Sequence, residues 1–236
     1  MSTRFWAVCA ATLLLGLAPN GTASAGTRED AGLWFMFAGQ GPLSRGAESE
    51  SRWRWWFDAQ PRFLEDTSGL HQGLLRPGVG YTLGARTSVW LGYAYVTTDR
   101  GSRSDSDENR IWQQFLWGPR YGDVRFQSRT RLEQRFLDTG SDTGWRFRQF
   151  VKAGWPVPVV DRLSVVGYEE FFLDLNDTSW GQRGGFAQNR LFVGLAWALD
   201  AGRRTSLEIG YLNQFINSRA TDRMNHILSI NLLLTL

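Results

Sequence analysis

Ionisable side chains recur at nearly every second position between residues 125 and 135. The basic members are Arg125, Arg129, Arg131 and Arg135, and Glu133 stands among them. Guanidinium groups bind carboxylates, phosphates and other small anions through paired N–H donors. A face with so many charges cannot enter a dry apolar core, so it must meet water or oppositely charged partners. This spacing therefore favours ion pairing or the binding of anions.

The positions between these charges carry a different chemistry. They hold Val124, Phe126, Leu132 and Phe136, together with short polar side chains. An alternation with a period of two predicts a β-strand, because successive side chains leave opposite faces of a pleated ribbon. A strand that is charged on one face and apolar on the other is typical of a transmembrane β-barrel, polar within and apolar without.

The same alternation returns along the whole chain. We predict strands near residues 32–40, 51–64, 73–84, 87–98, 109–119, 124–137, 144–156, 163–175, 186–199, 205–217 and 224–236, separated by segments rich in Gly, Asp, Asn, Ser or Pro. Bacterial single-chain barrels normally have an even number of strands. The predicted fold is therefore an all-β, antiparallel up-and-down transmembrane barrel of twelve strands, with ten as the alternative. We place the additional strand around residues 27–36.

Alternation also assigns an inner, lumenal face. The predicted lumenal basic residues are Arg54, Arg62, Arg76, Arg110, Arg125, Arg129, Arg131, Arg135, Arg146, Arg148, Lys152 and Arg190. The predicted lumenal acids are fewer: Asp58, Glu133, Glu170, Asp174 and Glu208. Three inward tryptophans, Trp56, Trp90 and Trp112, are placed to stack on guanidinium groups or to narrow the passage.

Two functions fit this lumen. An excess of positive charge in a narrow passage favours a channel or binding cavity for small anionic solutes. The alternative is a closed ladder in which arginines pair with glutamates across strands, in a structural or interaction barrel without transport.

Three outward positions do not fit an apolar outer face. Glu169 faces outward by parity, and we predict a β-bulge near Glu169–Glu170 that turns it inward. Gln113 and Gln149 also face outward, and the sequence offers no reason for them.

The beginning of the chain predicts export. Arg4 precedes an apolar run from Phe5 to Ala18, and Ala23-Ser24-Ala25 has the small-x-small pattern of a cleavage site. We predict a signal peptide over residues 1–25, cleaved after Ala25, and an outer-membrane barrel domain over residues 26–236. The single cysteine, Cys9, lies in the leader, so no disulfide is expected in the mature chain.

Composition argues against nucleic acid as a partner. The pI near 9.3 arises from arginines interleaved along strands, with Lys152 as the single lysine. Nucleic-acid binding favours a contiguous basic patch, which this pattern does not provide.

Catalytic residue types are scarce. His226 could serve an outer-membrane lipid hydrolase, but alternation places its neighbours Asn225 and Ser229 on the opposite face. Loop acids near His71 are interpreted as solvated groups, or as cation ligands among lipopolysaccharide phosphates: Asp99, Asp105, Asp107 and Glu108. Zinc and EF-hand spacings are absent, so we expect no metal, no cofactor and no enzymatic activity.

Several short motifs resemble a known family. They are ENRIWQQ at residues 108–114, RTRLEQRF at 129–136, QNR at 188–190, and EIGY at 208–211 followed by Gln214. In this order they resemble the bacterial family called domain of unknown function 2490, which is thought to form outer-membrane barrels. The resemblance implies fold and location and supplies no catalytic residue.

The final strand resembles the C-terminal assembly signal of outer-membrane proteins, although Leu236 stands where an aromatic residue is usual. The partners implied are outer-membrane lipid and lipopolysaccharide, the barrel-assembly machinery and small anions.

Overall fold

The computed structural model describes residues 26–44, 51–65, 69–100, 103–219 and 221–236. Within these ranges the chain forms twelve strands. They are β1 (Arg28–Pro42), β2 (Trp53–Leu64), β3 (Gly69–Gly84), β4 (Thr87–Arg100), β5 (Arg103–Trp117), β6 (Arg120–Tyr121), β7 (Val124–Leu137), β8 (Thr143–Pro156), β9 (Leu163–Asp174), β10 (Gly185–Ala198), β11 (Thr205–Ile216) and β12 (Arg223–Thr235). The predicted signal peptide over residues 1–25 lies outside the described residues.

The strands close into a barrel, as predicted. Eleven of them form the wall, in which each strand pairs with its neighbours in chain order, and β5 pairs directly with β7. The one strand outside the wall, β6, has two residues and pairs only with β7. The predicted total of twelve is confirmed, but the additional strand is β6 and does not lie around residues 27–36.

The wall closes between the first and last strands. β1 and β12 run parallel, with Arg28 beside Arg223 and Gln40 beside Thr235. Every other pair in the wall is antiparallel. An odd number of strands that alternate in direction must end with a parallel pair, so this closing pair departs from a fully antiparallel barrel.

The two ends of the barrel carry different connections. At one end, called the loop end here, β7–β8, β9–β10 and β11–β12 are joined by residues 138–142, 175–184 and 217–222. At the other end, called the turn end, β3–β4, β8–β9 and β10–β11 are joined by residues 85–86, 157–162 and 199–204.

The outer face of the barrel is mainly apolar. Large exposed side chains on nine strands of the wall include Phe35, Phe57, Val79, Leu91, Ile111, Trp155, Val193, Ile209 and Leu228. Their neighbours in sequence point inward, as the pleat of a strand requires. Within the described residues, no helix is long and apolar enough to cross a membrane.

The predicted bulge at Glu169–Glu170 is wrong. β9 pairs without interruption through both residues, and the irregularity on its partner lies between Phe186 and Gln188. Glu170 is buried inside, where Arg129 and Arg148 hold its carboxylate. A bulge that brought Glu169 inward would displace Glu170 from those ion pairs, so Glu169 stays on the outer face.

Candidate functional site

The interior of the barrel contains nearly all the predicted lumenal charges. Six of the arginines are buried: Arg62, Arg76, Arg110, Arg131, Arg135 and Arg148. Arg129, Arg146, Lys152 and Arg190 also face inward, and each exposes less than a fifth of its side chain. The two exceptions lie towards the turn end, where Arg125 is exposed and Arg54 donates to the carbonyl of Leu236 at 3.3 Å.

Glu133 is the centre of one charge cluster. It is 1% exposed, and its Oε1 accepts a hydrogen bond of 2.6 Å from Nη1 of Arg148. Arg131 and Arg110 approach its carboxylate oxygens at 3.6 and 3.7 Å. Three basic groups thus surround one buried carboxylate, and their charges stabilise its ionised form.

Glu170 is the centre of a second cluster. Arg129 and Arg148 each approach its Oε1 at 2.7 Å, and Arg190 approaches its Oε2 at 3.7 Å. Arg148 therefore bridges Glu133 on β7 and Glu170 on β9 from its place on β8. A single guanidinium links three neighbouring strands, which is the cross-strand ladder that the sequence suggested.

The alternation of β5 continues further than we predicted, and it brings in a carboxylate that sequence analysis assigned to a loop. Glu108 is 6% exposed and accepts bidentate hydrogen bonds from Arg110 and from Arg135. Parity with Arg110 could have placed Glu108 inside. Asp107, another of these acids, donates its backbone N–H to the carboxylate of Asp138 on the exposed surface at 3.0 Å.

The remaining acids each hold one basic partner. Asp58 pairs with Arg76 at 3.2 Å, Asp174 with Arg146 at 2.6 Å, and Glu208 with Lys152. Within the described residues, six acids are therefore buried in the barrel, and nine of the ten basic residues that lie in the interior have a carboxylate partner, the exception being Arg62.

Arg62 differs from these paired arginines. Its Nη1 and Nη2 donate to the side-chain oxygens of Gln72 and Gln60, both at 2.6 Å, and its Nε has no hydrogen-bond partner. The guanidinium lies 4.2 Å from the ring centroid of Trp34. Arg62 is thus held by neutral amides and an aromatic face rather than by a carboxylate.

Arg62 is also surrounded by like charges. Its strongest electrostatic interactions with charged groups are with other arginines, namely Arg190, Arg76, Arg110 and Arg148. Arg190 shares the same tryptophan, with its guanidinium 5.0 Å from the Trp34 ring. Positive charge is therefore concentrated at this level of the barrel, between strands that are far apart in sequence.

This level lies between two cavities. The cavity on the loop-end side has a volume of about 920 Å³ and the second about 200 Å³. Both are lined by the same five residues, which we call the arginine layer: Trp34, Arg62, Arg76, Arg148 and Arg190. An anion that passed from one cavity to the other would meet this layer.

The tryptophans predicted to point inward form a cluster on β2, β4 and β5. The Trp56 ring lies 5.6 Å from that of Trp90 and 6.5 Å from that of Trp112. Arg131 lies over Trp112 at 4.5 Å, so the predicted stacking on guanidinium is present. A Cβ at Gly92 would lie 2.2 Å from the Trp112 ring, so glycine makes room for the cluster.

The loop between β9 and β10 folds over the loop end of the barrel. Arg135 donates to the side-chain oxygen of Gln182 at 3.0 Å, and Trp180 lies 5.2 Å from the same guanidinium. The loop is held by Asp142, whose carboxylate accepts the backbone N–H of Ser179 at 2.6 Å. Hydrogen bonds from Ser179 lower the pKa of Asp142. The amino-acid sequence does not predict these contacts, since no local pattern indicates which way a loop folds.

The residues considered for hydrolysis are separated. Asn225 and Ser229 are buried inside, whereas His226 is outside and its Nδ1 lies 2.6 Å from the hydroxyl of Tyr211. His71 lines the larger cavity. Among the described residues, no group of three or more His, Cys, Asp or Glu side chains could hold a metal ion.

Comparison with known proteins assigns a family. A family model described as Protein of unknown function (DUF2490) matches residues 31–225. The chain belongs to this family. An uncharacterised protein of Methylorubrum extorquens is 37% identical over 223 residues, which cover 92% of each chain. No solved structure matches the chain. The DUF2490 region runs from β1 into β12 and contains the whole arginine layer.

Proposed function

We propose that this DUF2490 protein is a non-enzymatic barrel of the bacterial outer membrane that binds small anionic solutes in its lumen. The observation that carries the proposal is the arginine layer, where several guanidinium groups meet between two cavities. The passage of anions through the layer would make the barrel a narrow, anion-selective channel.

The outer face supports the membrane location. Apolar and aromatic side chains are exposed around the wall, among them Phe37, Leu75, Leu91 and Leu195. In water these would form an apolar surface far larger than most soluble monomers expose. In a bilayer the same side chains meet hydrocarbon, and the charged face turns away from it.

The balance of charge supports anions over cations. Ten inward basic residues face six buried acids, and Arg62 has amide partners instead of a carboxylate. Surplus positive charge in a low-dielectric passage raises the local concentration of anions and repels cations. Arg62 and Arg190 lie against Trp34, and of the two only Arg190 has a carboxylate partner, Glu170 at 3.7 Å, so the charge of Arg62 is not balanced by an acid.

A second function is favoured by a different observation. Arg148 bridges two buried glutamates, and most of the lumenal basic residues have carboxylate partners. Such a network rigidifies a small barrel whose interior is filled by side chains. The second candidate is therefore a structural or interaction barrel that does not conduct.

Conductance in planar bilayers distinguishes the two candidates. We expect channels whose reversal potential across a potassium chloride gradient shows a preference for chloride, and a preference that falls as salt rises because screening shortens the reach of each charge. Arg62→Gln should weaken the preference most, with Arg129→Ala and Arg131→Ala as further perturbations. Arg86→Gln, on the exposed turn 85–86 and outside the lining of both cavities, is the control and should leave the preference unchanged.

Inorganic phosphate provides an independent probe. Phosphate that binds at the arginine layer should reduce the chloride current of the wild type, and Arg62→Gln should relieve this block. Cation preference, or a chloride preference that Arg62→Gln leaves untouched, would contradict anion binding at this layer. Complete absence of conductance in correctly inserted protein would favour the structural barrel.

A further inference from the structure

The apolar outer face is interrupted by a group of polar side chains on β5 and β7–β10. We call this group the outer polar stripe; its members are Gln113, Thr130, Gln134, Gln149, Glu169 and Asn189. Gln113 and Gln134 exchange two side-chain hydrogen bonds of 3.0 Å, and Thr130 donates to Gln149 at 2.7 Å. Asn189 donates to Glu169 at 2.7 Å.

Most of the stripe lies near the middle of the wall, whereas Gln134 and Asn189 lie three and four residues from the loop-end termini of β7 and β10. Thr130 is opposite Gln149, and Glu169 is opposite Val151, each several residues from both ends of its strand. In a bilayer this level is hydrocarbon, where a polar or charged side chain is unfavourable. Glu169 is exposed, and within the described residues no basic group lies within ion-pair distance of its carboxylate.

Small side chains lie beside the stripe. Ser128 is small, and its hydroxyl accepts a hydrogen bond from the side-chain amide of Gln149 at 3.0 Å. Ala153 is directly opposite Gly167 on the neighbouring strand. Small residues allow two membrane-embedded surfaces to approach closely, and polar side chains then form hydrogen bonds across the contact.

The β3–β4 side of the barrel differs. At mid-wall positions these strands present bulky apolar side chains, including Val79 and Leu91. Such side chains are suited to lipid. At mid-wall level the polar side chains therefore lie on β5 and β7–β9, whereas the other outward polar groups Asn109, Asn213 and His226 lie nearer the loop end.

We propose that the outer polar stripe is the contact with a second copy of this chain, in a two-fold symmetric dimer within the membrane. Amide side chains both donate and accept hydrogen bonds, so a stripe made largely of glutamine and asparagine is complementary to itself. Each Glu169 carboxylate then faces amide donors of the other copy instead of lipid. A partner of opposite charge is disfavoured, since the stripe carries a single ionisable group.

The proposal rests on the membrane location given under Proposed function, and its test separates the two. Single-cysteine variants in a Cys9→Ala background are reconstituted into phospholipid vesicles and oxidised with copper phenanthroline. Val151→Cys reports on the stripe, and Val79→Cys is the matched control. Both are outward valines of similar exposure, 49% and 40%, on β8 and β3. We expect a disulfide-linked dimer for Val151→Cys, with at least a several-fold lower yield for Val79→Cys.

A second variant tests the polar groups themselves. Gln149→Leu combined with Glu169→Leu makes the stripe suitable for lipid, so we expect the dimer yield of Val151→Cys to fall several-fold while the protein stays inserted and heat-modifiable on a gel. Equal yields at the two cysteines, or a yield that the leucines leave unchanged, would overturn the dimer and leave the membrane location intact. Protein recovered entirely in the soluble fraction would overturn both proposals.

Discussion

The β3–β4 side of the barrel and the β7–β8 side enclose the same lumen with different chemistry. On β3–β4 the inner positions hold Gly78, Gly80 and Gly92, which accommodate the rings of Trp90 and Trp112. On β7–β8 the inner positions hold arginines and Glu133, joined by ion pairs. The outer faces differ in the same sense, since β3–β4 is apolar and β7–β8 carries part of the outer polar stripe.

Inner positions of the same barrel wall can therefore be stabilised either by apolar packing or by ion pairs. The two meet where Arg131 lies over Trp112 at 4.5 Å. The two sides should respond to different substitutions. An aromatic cluster is destabilised by a change in side-chain volume, whereas an ion-pair network is destabilised by a buried charge that has lost its partner. Four predictions test this difference.

The largest effect is expected from Glu133→Ala on the charged side. Removal of this carboxylate leaves Arg110, Arg131 and Arg148 without a shared counter-charge in a buried site. We expect the free energy of unfolding in detergent micelles to fall by about 3–5 kcal/mol, as for other broken buried ion pairs. The matched control is Glu169→Ala on the outer face, which should lower the free energy of unfolding much less. Similar losses for both variants would show that burial of Glu133 does not decide its contribution.

The next prediction compares the two faces of β7 at adjacent positions. On the proposed membrane location, Leu132→Arg would direct a charge towards mid-membrane lipid and should destabilise the folded barrel by roughly 2–4 kcal/mol. Arg131→Leu should leave the barrel inserted, although Glu133 loses one of its three basic neighbours. The measurement is unfolding by urea in lipid vesicles. Equal effects of the two changes would contradict the assigned parity.

A smaller effect is expected from an inward methyl group on the aromatic side. A Cβ at Gly92 would lie 2.2 Å from Trp112 and 2.5 Å from the carbonyl oxygen of Pro77, whereas a Cβ at Gly154 on β8 would meet Val166 at 3.5 Å. Gly92→Ala should therefore cost about 1–3 kcal/mol through overpacking, and Gly154→Ala should be close to neutral. The midpoint of heat-induced mobility change on a gel compares them. Equal midpoints would mean that the Trp112 ring moves aside without cost.

The smallest effect concerns pH and the loop of residues 175–184. The pKa of Asp142 is lowered by hydrogen bonds from Ser179, so its stabilisation of the loop is present above the ordinary aspartate pKa. That stabilisation is lost as pH falls through the lowered value. Hydrogen exchange in the loop, corrected for intrinsic rates, should accelerate at low pH in the wild type. Asp142→Asn should show faster exchange at neutral pH and little further change on acidification.

Alternation predicted most of the wall because it is a local property. The inward direction of Arg129, Arg131 and Arg148 follows from their neighbours in sequence and needs no knowledge of the fold. The predicted segments also coincide closely with the wall strands, as for residues 124–137 and β7. Belonging to DUF2490 could likewise be inferred from motifs that are read along the chain.

Contacts between distant strands could not be predicted in this way. Arg62 on β2 shares Trp34 on β1 with Arg190 on β10, and this arrangement exists only once the barrel has closed. The place of Glu108 required the start of β5 to be known within a few residues. The direction of the closing pair depends on the strand count, so an error of one strand changes its orientation.

The parallel seam between β1 and β12 has a consequence for how the chain enters and leaves the barrel. Arg28 lies beside Arg223 at the loop end, and Thr235 lies beside Gln40 at the turn end. The polypeptide therefore begins its wall at one mouth and finishes at the other. If the barrel spans a membrane, a label attached next to Arg28 and a label attached next to Thr235 would lie on opposite sides of it. Labels at these two positions of one molecule would therefore show which mouth of the barrel faces each compartment.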